Sequence, residues 1–80
     1  MKIGLCAENT GSHKIIVLWT GLETEQLEEG AVLEIRLAGH WVKARLERDP
    51  HEGWYWRGLQ SGWILLHMST ALISVRKEDQ

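Results

Sequence analysis

Four histidines and one cysteine are the side chains of this chain that are best suited to acid–base, nucleophilic or metal chemistry. They are His13, His40, His51, His67 and Cys6. The histidines stand at turns or at the ends of predicted elements, without the helical i,i+4 spacing or the cysteine partners that hold zinc. A lone cysteine between apolar neighbours is typical of a small buried hydrophobe. Catalysis also requires a nucleophile or base beside an orienting partner, so we predict no enzyme, metal or cofactor.

The residues with the strongest potential for binding alternate along residues 41–47. Trp41, Lys43 and Arg45 fall on one face of a predicted strand, because Val42, Ala44 and Leu46 point the other way. An indole offers a stacking platform, and neighbouring cations can hold a phosphate or an acidic partner. Tryptophan and arginine also dominate the energetic centres of protein interfaces. This face is therefore the leading candidate for a binding surface.

A second aromatic and basic segment follows at residues 54–59. In a strand Trp54 and Trp56 share one face and Tyr55 and Arg57 share the other, and the period of two does not say which pair is outside. Five tryptophans are more than a core of this size can readily enclose, so some must lie at a surface. The predicted binding residues are Trp41, Lys43, Arg45, Tyr55, Trp56 and Arg57.

Short apolar segments separated by turns must position these residues. Residues 1–7 and 13–19 are rich in β-branched side chains and form a predicted hairpin around an Asn-Thr-Gly-Ser turn. Residues 33–37 alternate cleanly, whereas the acidic loop 20–30 contains at most one predicted helical turn, at residues 24–28. Eighty residues are sufficient for one domain, residues 1–80. We predict an all-β fold, a small SH3-like barrel of five to six short antiparallel strands; an OB-fold fits less well, since it normally has longer strands and a helix.

The charge is small overall but unevenly distributed. The formal net charge is −2, which provides no global field for nucleic acid. Acidic side chains predominate in residues 23–34 and basic ones in residues 36–57. No run approaches a transmembrane span, and the first seven residues give way to polar ones too early for a signal peptide. We therefore expect a cytoplasmic protein that makes no membrane contact.

Several segments carry a resemblance to a known family. They are Leu27-Glu28-Glu29-Gly30, Leu33-Glu34-Ile35, Gly39-His40-Trp41-Val42, Arg45-Leu46-Glu47 and Gly53-Trp54-Tyr55. Together they resemble a family of short uncharacterised bacterial proteins with Gly-x-Trp-Val and Gly-Trp-Tyr strands, and the resemblance implies an SH3-like barrel. The chain also resembles Tudor-type barrels more loosely, but its sequence shows no clear cage of four aromatic residues. The family has no assigned activity to transfer.

Three functions are compatible with these features. The pattern favours a non-enzymatic interaction module that docks on a protein partner, or on its own copy, through the aromatic and basic surface. The alternative is binding of single-stranded nucleic acid or a ribonucleoprotein, which needs Lys43, Arg45, Arg48 and Arg57 to neutralise phosphates. A further alternative is an inhibitor of a nucleic-acid-handling machine, whose acidic face at residues 23–34 imitates phosphates.

Overall fold

The computed structural model describes residues 1–69 and 71–78. In this part of the chain the regular secondary structure consists of strands alone. The all-β prediction is confirmed. The predicted number of five to six strands is wrong, because there are eight. They are β1 (Lys2–Glu8), β2 (Ile15–Trp19), β3 (Thr24–Leu27), β4 (Val32–Leu37), β5 (His40–Asp49), β6 (Gly53–Gly58), β7 (Ile64–His67) and β8 (Leu72–Lys77).

The eight strands form one open antiparallel sheet in the order β3-β2-β1-β8-β4-β5-β6-β7. Two sets of sequential neighbours, β1–β3 and β4–β7, are joined by β8, which pairs with β1 on one side and with β4 on the other. The helical turn predicted at residues 24–28 is replaced by β3. Its backbone completes the hydrogen bonds of β2 across four residue pairs, and this pairing prevails over a sequence rich in Glu and Gln.

Alternating side chains give the sheet a distinct inner face. In β2, Ile15, Val17 and Trp19 are buried, whereas Ile16 is half-buried and Leu18 is exposed. In β5, Ala44 and Leu46 are buried, as the sequence predicts. This period of two is what a strand requires when only one of its faces is covered.

The buried side chains of seven strands meet in a single cluster, together with Met68, which follows β7. A sheet whose inner side chains all meet in one cluster must curve around them. A hydrogen bond crosses this concave side: the Trp54 indole N–H in β6 donates to the His13 carbonyl oxygen in the β1–β2 connection, at 2.7 Å. Cys6 is completely buried, and burial raises the pKa of its thiol to about 12, so it is the small hydrophobe that the sequence predicts.

Side-chain caps and positive backbone angles define the turns. The Asp49 carboxylate accepts backbone N–H groups of His51 and Glu52 at 2.7 and 3.0 Å, which closes the β5–β6 turn. These two bonds hold the pKa of Asp49 below its usual value. The β2–β3 turn contains Leu22 at a φ of 68°, a region that side chains such as leucine rarely adopt.

Candidate binding face around Trp41

The outward side chains of β5 and its two neighbours form one surface, which we call the Trp41 face. Cross-strand pairing places Arg36 opposite Trp41, and Arg45 opposite Arg57. The register also resolves the parity of β6, because Tyr55 lies opposite Glu47 on this outer side. The members of the Trp41 face are Val32, Glu34, Arg36, Trp41, Lys43, Arg45, Glu47, Tyr55 and Arg57.

Trp41 is half-buried beneath two guanidinium groups. The Arg36 Cζ lies 5.2 Å from the centre of the indole ring, and the Arg76 Cζ of β8 lies 4.6 Å from it. Both distances are within the range of a cation–π attraction. Arg76 is itself fixed by Glu34, whose two carboxylate oxygens accept from it at 2.8 and 3.2 Å. The indole is therefore held in place by its neighbours before any partner arrives.

Lys43 and Arg45 are exposed and form no ion pair with any of the described residues. Two grooves, of about 470 and 460 Å³, meet at Lys43 and Glu34. Trp41 borders one groove and Arg76 borders the other. Glu34 lies opposite Lys43 in the strand pairing, and the charges of Lys43 and Arg45 help to lower the pKa values of Glu34 and Glu47. The face thus has two exposed cations without a direct ion pair beside shallow depressions and a fixed indole, which is an arrangement that suits an acidic ligand.

Tyr55 and Arg57 point to this side of the sheet, but Tyr55 is buried, with only 9% of its surface exposed, and both side chains are already engaged. The Tyr55 hydroxyl donates to the Glu47 carboxylate at 2.8 Å, and Arg57 Nε donates to the same oxygen at 2.9 Å. Arg57 also donates to the Gly62 carbonyl oxygen at 2.7 Å, which ties β6 to the β6–β7 loop. These bonds lower the pKa of Glu47 and raise that of Arg57. Both residues therefore support the surface, and neither offers free hydrogen-bonding capacity equal to that of Lys43 or Arg45.

Trp56, the remaining predicted binding residue, does not lie on the Trp41 face. Its side chain is completely buried, and its indole N–H contacts the Met68 Sδ at 3.1 Å. Trp19 and Trp54 are also buried, so the core encloses three of the five indoles. Trp63 is 75% exposed, beside β7 at the edge of the sheet. A direct contact between Trp56 and a ligand is excluded by this burial.

The structure adds two participants that sequence reasoning missed, Glu34 and Arg76. They are 42 residues apart and meet only because β8 inserts beside β4. Their hydrogen bonds lower the pKa of Glu34 and raise that of Arg76. No local spacing could have indicated this pair. Arg36, by contrast, could have been found, because alternation places it on the outer side of a predicted strand.

The acidic segment 23–34 is partly neutralised by its contacts. Glu23 lies 3.9 Å from the Lys2 ammonium, and Glu25 accepts the Trp19 indole N–H at 3.0 Å. Glu28 accepts the Gln26 side-chain N–H at 3.2 Å, and Glu34 is bound to Arg76, so four of the five carboxylates have cationic or N–H partners. This arrangement weakens the interpretation of the segment as an imitation of a phosphate chain.

Within residues 1–69 and 71–78, no group of three or more His, Cys, Asp or Glu side chains is arranged to hold a metal ion. The same residues contain no helix of the length and hydropathy that crossing a membrane requires. Comparisons with protein-family models, with curated proteins and with solved structures give no match. Function is therefore inferred from the chemistry of the Trp41 face.

Proposed function

We propose that this chain is a non-enzymatic interaction module that docks on an acidic surface of a protein partner through the Trp41 face. The observation that carries the proposal is the contrast among its cations. Arg57 and Arg76 are held by Glu47 and Glu34, whereas Lys43 and Arg45 beside Trp41 have no ion-pair partner among the described residues. Unpaired cations next to a fixed indole form a typical energetic centre of a protein interface.

A rigid strand increases the value of these side chains for binding. Trp41, Lys43 and Arg45 project from the part of β5 that pairs with β4. Arg45 also lies within the pairing with β6, and the Lys43 carbonyl oxygen accepts the Leu59 backbone N–H at 3.1 Å. Little backbone order is lost when such a surface binds. The two exposed charges would also steer an acidic partner toward the face and accelerate association.

We also propose that the curved sheet forms an SH3-like barrel. An SH3-like barrel is supported by the single core shared by seven strands and by the Trp54 to His13 hydrogen bond across the concave side. A cytoplasmic location is supported only by the single, buried thiol of Cys6, which suits a reducing compartment.

Binding of single-stranded nucleic acid is the second candidate. Arg36, Lys43 and Arg45 could neutralise phosphates, but a base that stacks on Trp41 would have to compete with the two guanidinium groups already over its ring. A protein partner needs only the edge of the indole and the free cations. The protein partner is therefore favoured.

The test compares four immobilised chains: wild type, Trp41→Ala, the double variant Lys43→Glu/Arg45→Glu, and the control Lys14→Glu. Lys14 is exposed and does not belong to the Trp41 face, since it lines a separate depression with Arg48 and Trp54, so its reversal tests charge without changing the face. A cytoplasmic extract is passed over each chain, and retained proteins are quantified by mass spectrometry. We expect one set of acidic proteins to be retained by wild type and Lys14→Glu and depleted at least about tenfold by the other two variants.

A parallel titration with fluorescent oligothymidylate at low and moderate salt separates the two candidates. Phosphate neutralisation gives an affinity that falls steeply as salt rises. Such binding, lost in Lys43→Glu/Arg45→Glu and retained in Lys14→Glu, would overturn the protein-docking proposal in favour of nucleic acid. Equal protein retention by all four chains would also overturn it.

A further inference from the structure

A second surface lies on the outer side of β1, β2 and β8, and its character is opposite to that of the Trp41 face. Its large side chains are aliphatic and exposed, with Leu22 at 83% and Leu72 at 66%. We call this surface the Leu5 face. It consists of Ile3, Leu5, Leu18, Leu22 and Leu72.

Strand pairing makes the Leu5 face continuous. One row across the three strands is Leu18, Leu5, Ser74, and the next is Ile16, Ala7, Leu72. Neither row contains a charged side chain. Contiguous apolar surface of this kind on a small soluble domain marks an interaction site.

A depression of about 230 Å³ lies at one end of this face. Ile3, Leu5 and Leu18 line it, together with Leu22 of the β2–β3 turn. The floor includes Gly4, where a side chain would collide with the Leu18 carbonyl oxygen. A hollow and a projecting leucine therefore occur side by side on the same patch.

Leu22 is unfavourable for the isolated chain in two respects. Its φ of 68° lies in the left-handed region, which Gly, Asn and Asp adopt far more readily than leucine. Its side chain is also almost completely exposed to water. A backbone outlier that presents a large apolar side chain points to a contact made by that side chain.

We infer that the Leu5 face binds a second copy of this chain around a two-fold axis, with Leu22 of each copy inserted into the hollow of the other. An isologous contact requires that both complementary features lie on one patch, and the hollow and Leu22 satisfy this condition. The two uncharged rows bring no like charges together, and Arg76, which is paired with Ile3 in the next row, has its charge matched by Glu34. A pairing of two Trp41 faces would instead place Lys43 and Arg45 against cations of the same sign.

This inference stands independently of the proposed function, because no residue of the Leu5 face belongs to the Trp41 face. The test is the mass of the purified chain by sedimentation equilibrium over a range of concentrations around 10 μM. We compare wild type with Leu22→Asn, with Leu5→Gln and with the control Arg45→Glu. Leu22→Asn suits the positive φ, so it removes the apolar tip while relieving the backbone, and circular dichroism verifies the fold of each variant.

We expect wild type and Arg45→Glu to be dimers, and the dissociation constant to rise at least about tenfold in Leu22→Asn and in Leu5→Gln. A monomeric wild type overturns the inference, and liposome sedimentation of that monomer would show whether the face binds lipid instead. A dimer that persists in both Leu5-face variants but dissociates in Arg45→Glu overturns it as well.

Discussion

The Leu5 face and the Trp41 face are outer surfaces of one sheet, yet they are built on opposite principles. On the Trp41 face, two guanidinium groups lie over a half-buried indole, and one of them, that of Arg76, is fixed by a carboxylate. On the Leu5 face, the aliphatic side chains stand exposed, and the rows through Leu5 and Leu72 contain no charge. Both faces have the same continuous core beneath them.

The difference shows that the inward-facing apolar side chains of the strands specify the fold. The outward-facing side chains do not form the core, so their chemistry can differ from one part of the sheet to another. Ile15 and Val17 on the inner side of one half perform the same task as Ala44 and Leu46 in the other half. The outward neighbours of these residues share no such task. Two surfaces with separate partners can therefore exist on a domain of 80 residues without competing for the core.

The largest expected effect is the difference in stability between replacing Trp56, a completely buried residue of β6, and replacing Trp41, a half-buried residue of β5. Trp56→Ala should lower the free energy of unfolding by about 3–5 kcal/mol, because it leaves a large cavity in the core. Trp41→Ala should lower it by only about 1 kcal/mol or less, since it loses chiefly two cation–π contacts. Urea unfolding measures both values. Equal losses would contradict the assignment of Trp41 to a binding surface.

The next effect concerns the close approach of strands beneath the Leu5 face. A Cβ at Gly4 would lie 2.6 Å from the Leu18 carbonyl oxygen and 2.9 Å from side-chain atoms of Val17 and Trp19. Gly4→Ala should therefore destabilise the fold by about 1–3 kcal/mol. Gly11→Ala is the matched control, because its nearest neighbour would be at 3.4 Å. If thermal unfolding gave the same midpoint for both variants, the tight β1–β2 contact would be refuted.

The smallest expected effect is a difference between the two faces in how much they contribute to the pH dependence of stability. Arg76 and Arg57 lower the pKa values of Glu34 and Glu47 in the folded chain, so the unfolded chain binds protons more readily. The stability from these pairs is fully present above the ordinary glutamate pKa of about 4.3 and is lost as the pH falls through the lower folded values. Unfolding curves recorded from about pH 6 down to about pH 3 should show this loss of stability. Glu34→Gln/Glu47→Gln should flatten the dependence, whereas Leu18→Gln should leave its slope unchanged.

Local patterns in the sequence were sufficient for the strand class and for much of the inner face. The alternation in residues 41–47 correctly predicts that Ala44 and Leu46 are inside and that Lys43 and Arg45 are outside. The parity of β6 required the cross-strand register, because aromatic residues occupy both of its faces. That register places Tyr55 on the side of Glu47 and Trp56 on the core side, and both side chains are buried.

The elements that sequence reasoning missed depend on contacts between distant residues. β3 has few β-branched side chains and becomes a strand through its pairing with β2. The partnership of Glu34 with Arg76 exists only because β8 lies beside β4. Leu22 gives no local signal either, since leucine is an improbable choice for a positive φ. Each of these features is determined by tertiary structure, and a window along the chain does not contain it.

The central position of β8 also has a consequence for the order of folding. The strands within β1–β3 and within β4–β7 are connected by short links and can pair as local hairpins. An isolated hairpin forms in a time on the order of 1–10 μs. The strand that unites them is the last in the sequence, so their joint core cannot close until residues 72–77 have left the ribosome. Until then, the edges of β1 and β4 that β8 will cover stay unpaired. Rapid pairing of β8 with both edges prevents them from pairing with strands of other nascent chains.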